Sequence, residues 1–478
     1  MESATKGTIY LIIAQIVMII SGYLTHFVLG RYLGPESYGT YGLILTIATT
    51  LNLILTSGIP TSVSKFIAEQ ESRSKSILKK ALKIQLIFSI IISLLFLASA
   101  HLISTLLQDS SLTNYFRLMS IVIIPYSLFS ILIGYFNGKR LFKTQAILNI
   151  LYSIARAAAI IGLAFLFHLY GTIIAFMISP IIILIIALYL SRKDKSQDNS
   201  ISSLTLIKYA IPISIFAVIF NFVQTLDLYF VKSLLKQDIL TGYYTASITI
   251  SRVPLYILAS LTIVILPLIS NSLNDRERTK RLINSSTKYA LIALMPLTIL
   301  FATTSKKIIS LFYSNVYSPA STSLSILTIA IFFFTIYVFF SAILNGAGKQ
   351  RVPMYIILFL LVIDFFLLNY LVPKYQLTGA AISTLIVSFL AFLLSSIVVY
   401  KEFKALISFR SLVRILFASL ILLAPLFYTL NKYFLPLEYI VLTLLYLIIL
   451  YLFKEIRKQD IKELLPTKFH GILNIIPE

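Results

Sequence analysis

The stretch Phe27-Val-Leu-Gly-Arg-Tyr-Leu-Gly-Pro-Glu-Ser-Tyr-Gly-Thr-Tyr41 decides how the chain is read. Gly34, Pro35 and Gly39 are residues of a tight loop, and they lie between two apolar runs at about 8–30 and 40–58. Each run is about as long as the 20 residues that cross a bilayer. Much of the stretch returns 203 positions later: Phe230-Val-Lys leads to Gly242-Tyr-Tyr244, and Thr46-Ile47 falls on Thr249-Ile250. Two further matches keep nearly the same spacing, Gly138-Lys139-Arg140 with Gly348-Lys349-Gln350 at 210 and Gly171 with Gly379 at 208. A near-constant offset across separate loops marks an internal duplication.

Outward from this hairpin the chain is apolar almost throughout. Of its 478 residues 58% are hydrophobic and 12% charged, against about 25% charged in a soluble domain, and the mean hydropathy is +0.93. That excludes a soluble enzyme and a disordered chain. The absence of cysteine excludes a secreted disulfide scaffold. Apolar runs fall at about 8–30, 40–58, 82–107, 118–136, 145–167, 171–190, 209–231, 243–270, 289–304, 320–345, 352–372, 380–400, 415–431 and 437–453. The first is too long for a signal peptide and lacks a cleavage pattern. The expected fold is an all-α integral membrane protein of about 14 transmembrane helices. Two six-helix bundles, 1–208 and 209–405, are related by a parallel pseudo-two-fold repeat; helices 13 and 14 (406–453) and a cytoplasmic tail (454–478) follow.

The net charge is +22, from 40 Lys+Arg against 18 Asp+Glu. In a soluble chain that excess would suggest nucleic acid. Laid over fourteen spans, thirty of the cations fall in segments on the side of the N-terminus and eight on the other, and Arg156 and Arg252 lie inside spans. This positive-inside pattern reads as a multi-pass protein of the cell membrane with both termini cytoplasmic, surrounded by membrane lipids and with no nucleic-acid partner. The cytoplasmic segment 65–83, with Ile67, Ile77 and Leu78 among charges, is expected to lie on the membrane surface. Lys454 to Leu465 reads as a basic surface helix.

A charged side chain at bilayer depth costs at least about 2.5–3.5 kcal/mol on insertion scales, so it faces a cavity or a partner. At 100° per residue, Gln145, Asn149, Ser153 and Arg156 fall within about 80° of one another on the fifth span. Thr245, Thr249, Arg252 and Tyr256 fall within about 60° on the eighth. Polar stripes ending in guanidinium suit a wet cavity for an anion, because arginine grips phosphate oxygens in pairs; the alternative is that each arginine snorkels or pairs internally. Asp227, with Gln224 and Asn221 one and two turns before it, and Asp364 are the carboxylates inside spans. Each suits either ion coupling or a fixed pair with Arg252 or Arg156. His26 either lines a cavity mouth or is simply hydrogen-bonded, and Arg31 either meets a ligand or anchors a helix end in headgroups. Thr46, Thr49, Thr50 and Thr56 face the same choice between a ligand and helix packing. No P-loop, Ser-His-Asp set or metal-ligand spacing among His26, His101, His168 and His470 appears, so no catalytic residue, cofactor or metal is expected.

The run Gly30-Arg31-Tyr32-Leu33-Gly34-Pro35-Glu36-Ser37-Tyr38-Gly39, the stretch Ser57 to Phe66 and the loop Asn137-Gly138-Lys139-Arg140 resemble the polysaccharide-biosynthesis flippases of the multidrug/oligosaccharidyl-lipid/polysaccharide exporter superfamily. The resemblance implies a V-shaped pair of bundles and a secondary transporter. Its substrate would be a polyprenyl-(di)phosphate-linked glycan, moved from the cytoplasmic to the external leaflet by alternating access. The drive would be H+, Na+ or the membrane potential, and glycan-assembly enzymes would be partners. Arg252, Arg156, Asn149, Tyr256, Arg31 and His26 are the candidate substrate contacts; Asp227, Asp364, Gln224 and Asn221 are candidates for coupling or an internal ion pair. The alternatives are an ion-coupled multidrug antiporter of the same superfamily and a membrane glycosyltransferase or polymerase. The first wants an acid-rich cavity, whereas here two arginines accompany two aspartates. The second usually needs a sizeable external loop, and every external loop here is short.

Overall fold

The structure, a computed structural model, describes residues 4–192, 202–428 and 430–456. Among the described residues every regular element is a helix. In chain order these are α1 (Ala4–Thr56), α2 (Ile59–Glu69), α3 (Ser74–Leu106), α4 (Leu112–Gly138), α5 (Phe142–Ser191), α6 (Ser203–Val223), α7 (Leu226–Leu235) and α8 (Asp238–Ser251). They continue as α9 (Val253–Ser272), α10 (Arg276–Thr303), α11 (Ser305–Phe312), α12 (Ser321–Gly346), α13 (Arg351–Phe403), α14 (Phe409–Ser419) and α15 (Leu435–Leu452). Three of them are two spans end to end. α1 breaks at Gly34 (φ 73°), α5 at His168 (φ 50°) and α13 at Gln376 (φ 50°). Conversely, α6–α7 and α8–α9 are single spans interrupted at Gln224–Thr225 and at Arg252. With α2 and α11 too short to cross, and α14 carried on by a 3-10 turn to Leu426, the described helices are consistent with the fourteen passes expected from the apolar runs.

The backbone sharpens the repeat. α4 and α12 end at Gly138 and Gly346, each followed two residues later by a left-handed residue, Arg140 (φ 58°) and Gly348 (φ 75°). His168 and Gln376 carry the matching kinks, and Gly171 and Gly379 follow them. All four pairs are 208 apart. The 210 offset read from Gly138-Lys139-Arg140 is therefore corrected by two residues: Asn137-Gly138 is matched by Asn345-Gly346. After each kink the returning arm crosses the incoming one so closely that a Cβ on Gly171 would lie 1.9 Å from Leu163 O, and one on Gly379 2.2 Å from Leu371 O. Gly171→Ala and Gly379→Ala are each expected to cost on the order of 1–3 kcal/mol by overpacking. Gly162→Ala, where nothing lies within 4 Å, is expected to be neutral or slightly stabilising through helix propensity. Melting of the detergent-solubilised protein reads all three.

Contacts divide the chain into two units, Met1–Thr245 and Ala246–Glu478. In the first, Ile59, Val63, Ile67, Ile77, Leu78 and Ala81 pack against Phe129, Leu132, Tyr135, Phe136, Leu148 and Tyr152. Ile67, Ile77 and Leu78, the apolar residues expected to seat segment 65–83 on the membrane, are thus core instead. Small residues let the spans approach: on α3, Ser93 Oγ donates to Ser120 O at 2.7 Å and Ser104 meets Thr113 at 2.6 Å. In the second unit one cluster joins α9, α10, α12 and α13 through Leu258, Leu282, Phe340, Ile343 and Val399. Another seats α14 and α15 on α10 through Ile292, Leu300, Ile415, Leu442 and Tyr446. Outward faces are bare of partners: Ile20, Leu95 and Leu166 are more than 60% exposed, as lipid-facing side chains are.

Candidate substrate and coupling sites

Arg156 stands in the first arm of α5, one turn after Tyr152, where residues four apart become neighbours. Its guanidinium carbon is 5.5 Å from the centroid of the Tyr152 ring, a cation–π distance. Tyr126 of α4 and Tyr41 of α1 complete the electrostatic surroundings. The Tyr152 ring is itself held 5.5 Å from Tyr126 and 5.3 Å from Phe129. Tyr41 meets His26 edge-on at 5.8 Å, and His26 Nδ1 is 2.8 Å from the Tyr38 hydroxyl. Among the described residues no carboxylate comes within ion-pair distance of Arg156. Half-exposed in an apolar unit, this cation has tyrosine rings and a tyrosine hydroxyl as its close neighbours. Much of the stripe around it is structural: Gln145 accepts from Asn137 Nδ2 at 3.0 Å, and Ser153 Oγ donates to Asn149 O at 2.8 Å. Asn149 itself stays half-buried. Arg31 is exposed at the kink of α1.

The α6–α7 break gathers a second polar set in the same unit. Asn221 Nδ2 donates to Thr50 Oγ1 at 2.8 Å, and Thr50 lies 3.3 Å from the Tyr229 hydroxyl. Gln224 caps α6, and its amide reaches Asn221 O at 3.0 Å. Asp227, buried in the first turn of α7, accepts from the Leu228 amide and the Tyr244 hydroxyl, both at 2.8 Å. A carboxylate at a helix N-terminus is stabilised by the amides pointing at it. Thr46, Thr49 and Thr50 spend their hydroxyls on carbonyls four residues back.

In the second unit, Arg252 is the residue at which the eighth span breaks, held between α8 and the Pro254 that opens α9. Its side chain is half-exposed and Tyr256, one turn on, is 40% exposed. Asp364 is buried in α13 and accepts from Ser383 Oγ at 2.7 Å. The corrected register gives it a further property: Asp364 lies 208 positions after Arg156, so the two repeats carry opposite charges at one equivalent place.

The family model described as "Polysaccharide biosynthesis protein" matches residues 4–273, more than half of the chain. The chain belongs to this polysaccharide biosynthesis protein family. A second model, MatE, matches residues 212–371, so both signatures of the superfamily lie on one chain. An uncharacterized membrane protein of Methanocaldococcus jannaschii is 24% identical over 421 residues, covering 85% of this chain and all of that one. Stage V sporulation protein B of Bacillus subtilis is 30% identical over 179 residues, a local match covering 36% of this chain and 34% of that one. Among solved structures, a lipid II flippase MurJ in an inward closed conformation superposes with a TM-score of 0.79 over 94% of this chain and 99% of that one, at 18% identity. An inward-facing multidrug resistance MATE family transporter of the MOP superfamily gives 0.65 over 83% and 98%, at 15% identity. This member of the polysaccharide biosynthesis family therefore shares its fold with both flippases and drug transporters.

Sequence reasoning found the charged residues of these sites but not their partners. Tyr152 had a signal, its i−4 spacing from Arg156. Tyr41, Tyr126 and Ser383 come from other spans and had none. Nor did Lys232, whose position among the external cations hid a buried ion pair.

Proposed function

We propose that this protein flips a polyprenyl-(di)phosphate-linked oligosaccharide or glycan precursor from the cytoplasmic to the external leaflet of the cell membrane by alternating access. The observation that carries this reading is Arg156, a guanidinium with no carboxylate at ion-pair distance among the described residues and steadied by tyrosines. A phosphate group supplies the missing anion and takes two parallel hydrogen bonds from such a group. A cationic drug 4 Å from it would be repelled by about 4 kcal/mol at an effective dielectric of 20, which disfavours the multidrug antiporter by about a thousandfold in affinity. In the second unit Arg252, at a break backed by Pro254, is a candidate phosphate contact of its own with Tyr256, and in the first unit Asn149, His26 and Arg31 are further candidates. Asp227 or Asp364 couples to H+ or Na+, or the cationic head site responds to membrane potential. The positive-inside partition supports cytoplasmic termini, and glycan-assembly enzymes would deliver the substrate. Transport of this kind needs no covalent step.

The test is reconstitution into liposomes with a fluorescent polyprenyl-diphosphate sugar in one arm and a cationic dye in the other. The sugar lipid is expected to cross and the dye is not; the reverse result favours the antiporter. Arg252→Ala is expected to abolish flipping with expression and insertion intact. Arg252→Lys separates two causes: intermediate activity means that charge dominates, and loss equal to alanine means that the two-pronged geometry does.

A further inference from the structure

Lys232, in the last turn of α7, is 3% exposed. Its ammonium is paired with Asp109, at 2.5 Å on the α3–α4 turn, and with Asp238, the first residue of α8. Asp109 is also held by Ser111, whose amide and hydroxyl donate to it at 3.0 and 2.6 Å. Burial pushes the Asp109 carboxyl up, but the bonds from Lys232 and Ser111 outweigh burial and hold it below the usual carboxylate range. The Asp109 arm of the clasp is therefore lost only as pH falls through that depressed value.

Beside the clasp, the second arm of α1 runs against α8 with almost no side chain between. A Cβ on Gly39 would lie 2.4 Å from Asp238 O, one on Gly242 1.7 Å from Pro35 O, and one on Gly42 2.3 Å from Thr245 Cγ2. Gly39 and Gly242, like Gly42 and Thr245, are 203 apart, the offset of the duplicated stretch. Equivalent positions of the two repeats thus meet face to face. The Thr50–Asn221 bond at 2.8 Å joins the same arm of α1 to α6. A backbone seam of this kind hides little apolar area, so it separates cheaply; a buried ion pair adds one defined geometry and a cost to leaving it.

We propose that the Gly39/Gly42–Gly242/Thr245 seam is the outer gate of the transport path and that Lys232 is its latch. The words outer and gate rest on the transporter reading above; the closed contact and its latch rest on the geometry. Opening breaks both ion pairs of Lys232 and parts α1 from α8. The latch sets how often the seam opens, and the glycines set whether it can close.

The absence of cysteine makes the test clean. Thr245→Cys, at a site 5% exposed, is the reporter, and a membrane-impermeant maleimide added outside is the probe. Labelling is expected to be slow with the latch intact and at least tenfold faster with Lys232→Ala, with Asp238→Asn, or with Gly42→Val, which wedges the seam. Lys232→Arg is expected to stay slow. Asp238→Asn carries the test if Lys232→Ala fails to fold, because the Asp238 side chain is 28% exposed and tolerates the loss. Labelling unchanged by every latch and wedge variant, or faster only from the cytoplasmic side, overturns the proposal. The assay needs no substrate. If labelling responds while no lipid-linked sugar is flipped, the gate stands and the substrate reading falls.

Discussion

Arg156→Ala is expected to lower the flipping rate of a polyprenyl-diphosphate sugar by two orders of magnitude or more, while leaving yield, insertion and melting temperature close to wild type. Hydrogen bonds to charged groups are worth about 1.5–3 kcal/mol each. Losing a bidentate pair therefore removes about 3–6 kcal/mol, and 1.4 kcal/mol is a factor of ten. The stability half of the prediction is the more discriminating. Breaking a buried salt bridge by removing one partner costs about 3–5 kcal/mol, because the other charge is left stranded. Arg156 has no carboxylate partner among the described residues, so its removal strands no opposite charge. A variant that flips at the wild-type rate sinks the phosphate assignment. One that loses several kcal/mol of stability reassigns Arg156 to holding Tyr152 and Tyr126 in place. Tyr152→Phe is the companion: it keeps the ring beside the guanidinium and removes the hydroxyl, and it is expected to slow flipping far less than Arg156→Ala.

The fourteen passes were legible because span length and hydropathy are set by the bilayer and need no tertiary information. The charges inside spans were legible for the same reason. What pairs with them was not. Asp364 meets Ser383 across a kink whose geometry depends on Gln376 and Gly379, and no local pattern joins residues nineteen apart in opposed arms. The segment 65–83 shows the converse failure. An amphipathic face looks alike whether it meets headgroups or a neighbouring helix, and here Ile67 and Ile77 meet α4 and its neighbours. Likewise Lys232 counts as an external cation in any charge partition, and only the α3–α4 turn and the start of α8 turn it into a buried latch. The repeat was legible in outline, but two residues of error in one loop concealed its most informative consequence: the equivalence of Arg156 and Asp364.

That equivalence motivates the last expected result. Asp364→Asn should abolish stimulation of flipping by an imposed Na+ or H+ gradient, bringing the stimulated-to-unstimulated ratio to about 1, with little change in melting temperature. Asparagine keeps the shape of the side chain and an oxygen for the Ser383 hydroxyl, which donates to Oδ1 in the native protein. One repeat has an arginine at this position and the other an aspartate, so on the proposed reading the same place would serve an anion in one half and a cation in the other. Asp227 is the control, because it opens a helix and accepts from the Leu228 amide and the Tyr244 hydroxyl. A carboxylate so committed at a helix start contributes to folding, and Asp227→Asn is expected to lower the melting temperature more and the gradient response less. Should Asp227→Asn remove the gradient response and Asp364→Asn preserve it, coupling belongs to the α6–α7 break. If neither does, the drive is the membrane potential acting on the arginines, and flipping should then scale with an imposed voltage of either ionic origin.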